Sequence, residues 1–172
     1  MVRYKVGCLI EAAQSGEVNT IAHCANCFNT MKSGIAPQIA KAFPIAKIVD
    51  DRTCKGDWNK FGRYSMGTHS FDGSDQVPLT IFNLYGQYNY WPRDERHLHY
   101  DALKFAMRGM ANELYWGATV GLPKLGAGLA GGDWNKIEKL INQEFQGEQV
   151  TIYVTDESEI PANREVINRE VV

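Results

Sequence analysis

From residue 78 onward the hydrophobic period of the chain switches repeatedly between strand and helix, and few folds accept that order. Pro78 to Tyr85 reads as a strand carrying Leu79, Ile81 and Phe82. Between Leu98 and Tyr115, Leu103, Met107, Met110 and Leu114 form an apolar stripe at helical spacing. Residues 118–123 predict a short strand, Asp133 an N-cap for a helix carrying Trp134, Ile137, Leu140, Ile141 and Phe145, and Val150 to Thr155 the last strand. Upstream, Val2 to Ile10 alternates Tyr4, Val6, Cys8 and Ile10 against Arg3, Lys5 and Gly7, the pattern of one strand with a buried face. Thr20 to Cys24 fits a buried strand, Ile35, Ile39 and Phe43 mark a helix closed by Pro44, and Gly67 to Phe71 a further strand. Strands alternating with helices predict an α/β fold, a three-layer α/β/α sandwich with a mixed, mostly parallel central sheet. Ligands in such folds lie beyond the carboxyl ends of the strands.

A chain of 172 residues with no repeat fits one compact domain; residues 1–156 are assigned to it and 157–172 to a charged C-terminal tail. The net charge of −2 argues against a broad nucleic-acid surface but leaves room for a pocket holding one phosphate group. No apolar run is long enough to span a bilayer, and Met1 to Val6 lacks the pattern of a secretory leader, so no membrane partner is expected. Cys8, Cys24, Cys27 and Cys54 are too few and too unevenly spaced for a disulfide scaffold, which favours a reducing, cytoplasmic-type compartment.

Two glycine-containing segments each follow a strand and precede a helix. Residues 23–36 (His-Cys-Ala-Asn-Cys-Phe-Asn-Thr-Met-Lys-Ser-Gly-Ile-Ala) deliver small and polar residues to a helix start, where backbone N–H groups lack partners and attract anions. A turn without a ligand would read the same way. Residues 122–134 (Leu-Pro-Lys-Leu-Gly-Ala-Gly-Leu-Ala-Gly-Gly-Asp-Trp) match neither a Walker A loop nor a dinucleotide fingerprint, and a second phosphate cradle facing the first would suit a diphosphate. A third segment, residues 83–91, clusters aromatics and amides that either face a base and sugar or pack on themselves. Cys24 and Cys27 have the CxxC form, yet no second ligand pair accompanies them and the following helix starts too late for a redox motif, so they read as buried structural thiols. No cofactor or metal is called for by these residues.

Together the segments at 23–36 and 122–134 resemble the paired loops of the macrodomain family, the ADP-ribose-binding α/β/α module, from about Tyr4 to Thr155. The resemblance is strongest to the branch of yeast-type ADP-ribose-1″-phosphate phosphatases and terminal ADP-ribose glycohydrolases, with phage-encoded members among its relatives. It implies that Asn26 reaches the distal ribose. It also implies that Met31, Lys32, Ser33, Gly34, Ile35 and Ala36 with Gly126, Ala127, Gly128, Leu129, Ala130 and Gly131 wrap the diphosphate. Cys8 and Leu9 fall at the adenine position, and Tyr85 and Tyr88 would line the ribose or base. His23 matches a histidine of the phosphatase-like branch, or serves structure alone; Asp133 is either a general base for water or only a helix cap.

The chain departs from the family in ways that bear on chemistry. Cys8 replaces a common aspartate, Ala40 takes the place of the glycohydrolase lysine with Lys41 beside it, and Ala130 takes that of the catalytic aspartate. The implied function is therefore binding of ADP-ribose or its 1″-phosphate, with phosphate hydrolysis by His23 and Asp133 as the leading reaction. Release of ADP-ribose from a modified protein or nucleic acid, using Lys41, and binding without catalysis are the alternatives.

Overall fold

The computed structural model describes residues 1–73, 75–91 and 95–167. Strands β1 (Arg3–Val6), β2 (Thr20–Asn26), β3 (Tyr64–His69), β4 (Leu79–Gln87), β5 (Thr119–Leu122) and β6 (Gln149–Val154) form one sheet in the order β1-β6-β5-β2-β4-β3. Every neighbouring pair is parallel except β3 with β4. Helices α1 (Leu9–Gln14), α2 (Ala36–Ala42) and α3 (Ile45–Asp51) cover one face, and α4 (Tyr100–Glu113) and α5 (Trp134–Glu144) the other.

The period-two alternation of strand side chains produces the two cores. Ile21, Ile81 and Tyr153 point into the α1–α3 layer, while their neighbours Ala22, Phe82 and Ile152 point into the α4–α5 layer. Leu103, Met107 and Met110 are fully buried along α4, as the stripe predicts, and Ile137 and Ile141 do the same for α5. Asp133 caps α5, its side chain accepting from the Asn135 amide at 2.9 Å. The three-layer sandwich read from the sequence is the observed fold.

Two helices were not expected. The strand foreseen over Val2 to Ile10 stops at Val6, and after Gly7 and Cys8 the chain turns into α1, whose Leu9, Ala12 and Ala13 are buried at helical spacing. Alternation at Cys8 and Ile10 imitated a longer strand. Pro44 does end α2, but it also occupies the N-cap of α3, where its missing N–H is harmless. Helix α3 then packs tightly on the edge strand: a Cβ on Gly67 of β3 would lie 2.5 Å from Ile45 Cγ1 and 3.1 Å from Val49 Cγ1. Only glycine permits that approach, and the approach carries Asp50, at the end of α3, toward the ends of β2 and β4.

The segment after Asp156 makes a short 3₁₀ turn (Glu157–Glu159) and then runs beside β1. Tyr4 N–H donates to the Glu165 carbonyl at 2.8 Å and Ile167 N–H to the Tyr4 carbonyl at 2.7 Å, so the exposed edge of β1 is covered. Arg164 secures the strap by two bonds to the buried Glu138 carboxylate, at 2.7 and 2.6 Å. No helix among the described residues is long and apolar enough to cross a membrane.

Candidate functional site

The loops that follow β2 and β5 converge at the carboxyl edge of the sheet on a cavity of about 230 Å³. Its walls are Thr30 to Ala36 on one side and Pro123 to Ala130 on the other, with Tyr90 and His97 at the margins. Among the described residues, the Gly34, Ile35 and Ala36 amides on one wall and those of Gly128 and Leu129 on the other make no intramolecular hydrogen bond. The second wall needs its glycines. A Cβ on Gly132 would meet Leu98 Cδ2 at 2.3 Å and the Gly126 carbonyl at 2.6 Å, the same carbonyl that accepts from Gly132 N–H at 2.9 Å and closes the loop. Gly128, by contrast, faces open space. Unpaired amides on both walls, with the Lys32 ammonium on the rim, form a donor-rich enclosure suited to an anion.

The floor is built from residues distant in sequence. His23 of β2, Asn83 of β4 and Ser65 of β3 stand side by side in the sheet register. Asn83 donates from Nδ2 to the Ala46 carbonyl (2.9 Å) and to Ser65 Oγ (3.0 Å), so its Oδ1 must accept from His23 Nε2 at 2.7 Å. His23 therefore donates from Nε2, and with Nδ1 3.3 Å from the Cys24 carbonyl the ring is held in one orientation. Burial lowers its pKa, against the opposing effects of the Asn83 bond, the Cys24 carbonyl and Asp50. It enters the cavity as a neutral imidazole.

Beside it, the Tyr85 hydroxyl meets Ser65 Oγ at 2.8 Å and donates to Asp50 Oδ1 at 2.8 Å. Burial pushes the Asp50 carboxyl up from its ordinary range, while the Tyr85 bond and the Lys60 charge pull it down. Lys60 is itself buried, donating to Asn29 Oδ1 and Thr53 Oγ1, both at 2.6 Å, with its ammonium 4.6 Å from the centre of the Tyr85 ring. Cys24, which also lines the cavity, and Cys27 are both pushed by burial to about 11, which keeps them as thiols at neutral pH and poor nucleophiles.

No family model matches the chain. Its structure is similar to the macrodomain of Mycobacterium tuberculosis DarG (TM-score 0.68, 23% identity, 89% of this chain and 97% of that one). It is also similar to Thermosipho africanus DarTG in complex with ADP-ribose (TM-score 0.69, 18% identity, 94% of this chain and 44% of that one). In sequence it is 29% identical over 147 residues to a DNA ADP-ribosyl glycohydrolase of Mycobacterium bovis, covering 85% of this chain but spanning only 39% of that protein. An uncharacterized 17.5 kDa protein from the tk-vs intergenic region of phage T4 is 35% identical over 147 residues, 83% of this chain and 88% of the relative. The chain belongs to one family with the phage T4 protein, and its fold is the macrodomain fold.

Within this macrodomain fold, the cavity gathers His23, Asn26, Met31, Lys32, Ser33, Gly34, Ile35, Ala36, Gly126, Gly128, Leu129 and Ala130 from the residues singled out in the sequence. Ala127 packs against the core and Gly131 turns at φ +73 behind the wall. Lys41 is exposed on the last turn of α2, away from the cavity, and the Asp133 carboxylate is engaged as the cap of α5. Leu9 is buried in α1, while Cys8 lines a separate hollow of about 240 Å³ with Lys5, Glu11, Glu17 and Tyr153. Tyr85 is fully buried under the floor. Tyr88 donates to the Gly56 carbonyl at 2.8 Å and packs against Phe28 and Trp58, so the aromatic segment largely packs on itself.

Gln87 and Tyr90, from the third segment, also line the cavity, and Asp50 and His97 do so without having been foreseen. A signal for Asp50 existed: it lies four residues after Ala46, on the buried face of α3, where a carboxylate needs a reason.

Proposed function

We propose that this macrodomain binds ADP-ribose, with the diphosphate between the two loops and the distal ribose toward His23 and Asn26, and hydrolyses the phosphate ester of ADP-ribose-1″-phosphate. The observation that carries the reading is the single enclosure formed by free amides from both loops over a floor holding a neutral, oriented histidine. In the reaction, water attacks the phosphorus, the bond between phosphorus and the C1″ oxygen breaks, and inorganic phosphate and ADP-ribose leave. Lys32 and the loop amides offset charge on the phosphoryl oxygens, and the His23 ring on the floor positions the attacking water. Asp133 takes no part in this scheme, because its carboxylate caps α5.

A second reading, removal of ADP-ribose from modified DNA, is favoured by the similarity to the M. bovis DNA ADP-ribosyl glycohydrolase. It is weakened by Ala40 and Ala130 at the positions where the family resemblance expects lysine and aspartate. The four unpaired cysteines support a reducing, cytoplasmic-type compartment. The test is parallel incubation with ADP-ribose-1″-phosphate and with ADP-ribosylated DNA. Phosphate release that disappears in His23→Ala supports the first reading. Release of ADP-ribose from DNA instead supports the second, and neither product with binding intact leaves a binding module.

A further inference from the structure

The buried carboxylate on the cavity floor has an acceptor to spare. Asp50 is 1% exposed, yet it lines the cavity. Its Oδ1 is occupied by the Tyr85 hydroxyl, and no hydrogen bond to Oδ2 is made among the described residues. Since no sealed side-chain oxygen among the described residues lacks a partner, Oδ2 is left accessible from the cavity, where a carboxylate oxygen calls for a donor that arrives with the ligand.

We propose that Asp50 Oδ2 accepts hydrogen bonds from the hydroxyls of the sugar beyond the diphosphate, making the cavity select a ligand that continues past its diphosphate over one that ends there. This rests on reading the cavity as an ADP-ribose site. Tyr85, Ser65 and Asn83 orient the carboxylate through one continuous chain of bonds to His23. Lys60, fixed by Asn29 and Thr53, supplies the compensating charge, while Lys47 and Asp51 act on Asp50 from the same helix. The cavity thus offers two chemistries. The loop amides and Lys32 are donors and take an anion; Asp50 is an acceptor, takes neutral hydroxyls and repels a terminal phosphate. A diphosphate followed by a pentose satisfies both.

The test compares ADP-ribose with ADP by calorimetry on the full chain. The wild-type protein is expected to prefer ADP-ribose. Asp50→Asn, nearly the same shape without the charge, is expected to weaken ADP-ribose by about 10- to 100-fold and leave ADP within about threefold. Retained ADP binding reports an intact fold and intact loops. Should Asp50→Asn bind neither ligand, Tyr85→Phe decides, since it frees the carboxylate to rotate: the preference is expected to shrink with ADP binding unchanged. Wild-type protein binding the two ligands equally, or either variant keeping the full preference, overturns the role of Asp50 while leaving the site reading in place. Wild-type protein binding neither ligand sinks the site reading itself, and this inference with it.

Discussion

Replacing Asn83 by leucine removes the hydrogen bonds at the centre of the floor while keeping the branching of the side chain. Asn83 is fully buried and makes three bonds: to His23 Nε2 at 2.7 Å, to the Ala46 carbonyl at 2.9 Å and to Ser65 Oγ at 3.0 Å. At about 1 kcal/mol net for each bond, the loss is about 3 kcal/mol. Partial entry of water would lower it, and a stranded His23 N–H would raise it. For a chain of this size each kcal/mol shifts the midpoint by about 2–4 °C, so the variant is expected to melt about 6–12 °C below wild type. Circular dichroism on thermal ramps measures the midpoint, and NMR of the His23 ring reports its tautomer. Asn83→Asp is the companion, since a carboxylate at that place stabilises the imidazolium and raises the His23 pKa. An Asn83→Leu midpoint within about 2 °C of wild type, with the imidazole signals unmoved, would refute the claim that this network orients His23.

Gly128→Ala is expected to leave the melting temperature unchanged, because its Cβ meets nothing within 4 Å, and to weaken ADP-ribose in calorimetry by crowding the cavity. The Glu138 carboxyl is held below its ordinary value chiefly by Arg164. Its stabilising contribution is complete above the unfolded glutamate pKa and is lost as pH falls through the lower folded value. Arg164→Met should therefore lower the melting temperature at pH 7 and converge on wild type in strong acid, as a pH series of melting curves would show. Thiol labelling of the native protein at pH 8 is expected to be fast at the exposed Cys8 and Cys54 and slow at Cys24 and Cys27, both pushed up to about 11; equal rates at all four would contradict their burial.

The walls of the cavity were legible in the sequence and its floor was not, for a physical reason. Segments 23–36 and 122–134 are local: their glycines, their place between strand and helix and their small residues act over a few positions. Convergence of His23, Asp50, Ser65, Asn83 and Tyr85 depends instead on sheet register and on the close packing of α3 against Gly67. Neither is written in any short window. Helix α1 was concealed because Cys8 and Ile10 continued a period-two pattern across the Gly7 corner. Helix α3 was concealed because Pro44, which closes one helix, also opens the next. Missing α3 meant missing Asp50. Tyr85 and Tyr88, conversely, look like ligand contacts by type and position, yet they serve the floor and the packing beneath it.

The measurement that bears most directly on the account is a crystal structure of the protein with ADP-ribose. The account places the diphosphate within hydrogen-bonding distance of the amides at 34–36 and 128–129, and the distal ribose against His23, Asn26 and Asp50. Diphosphate density in the separate hollow bounded by Cys8, Glu11 and Tyr153, or no bound nucleotide at saturating ADP-ribose, would contradict it.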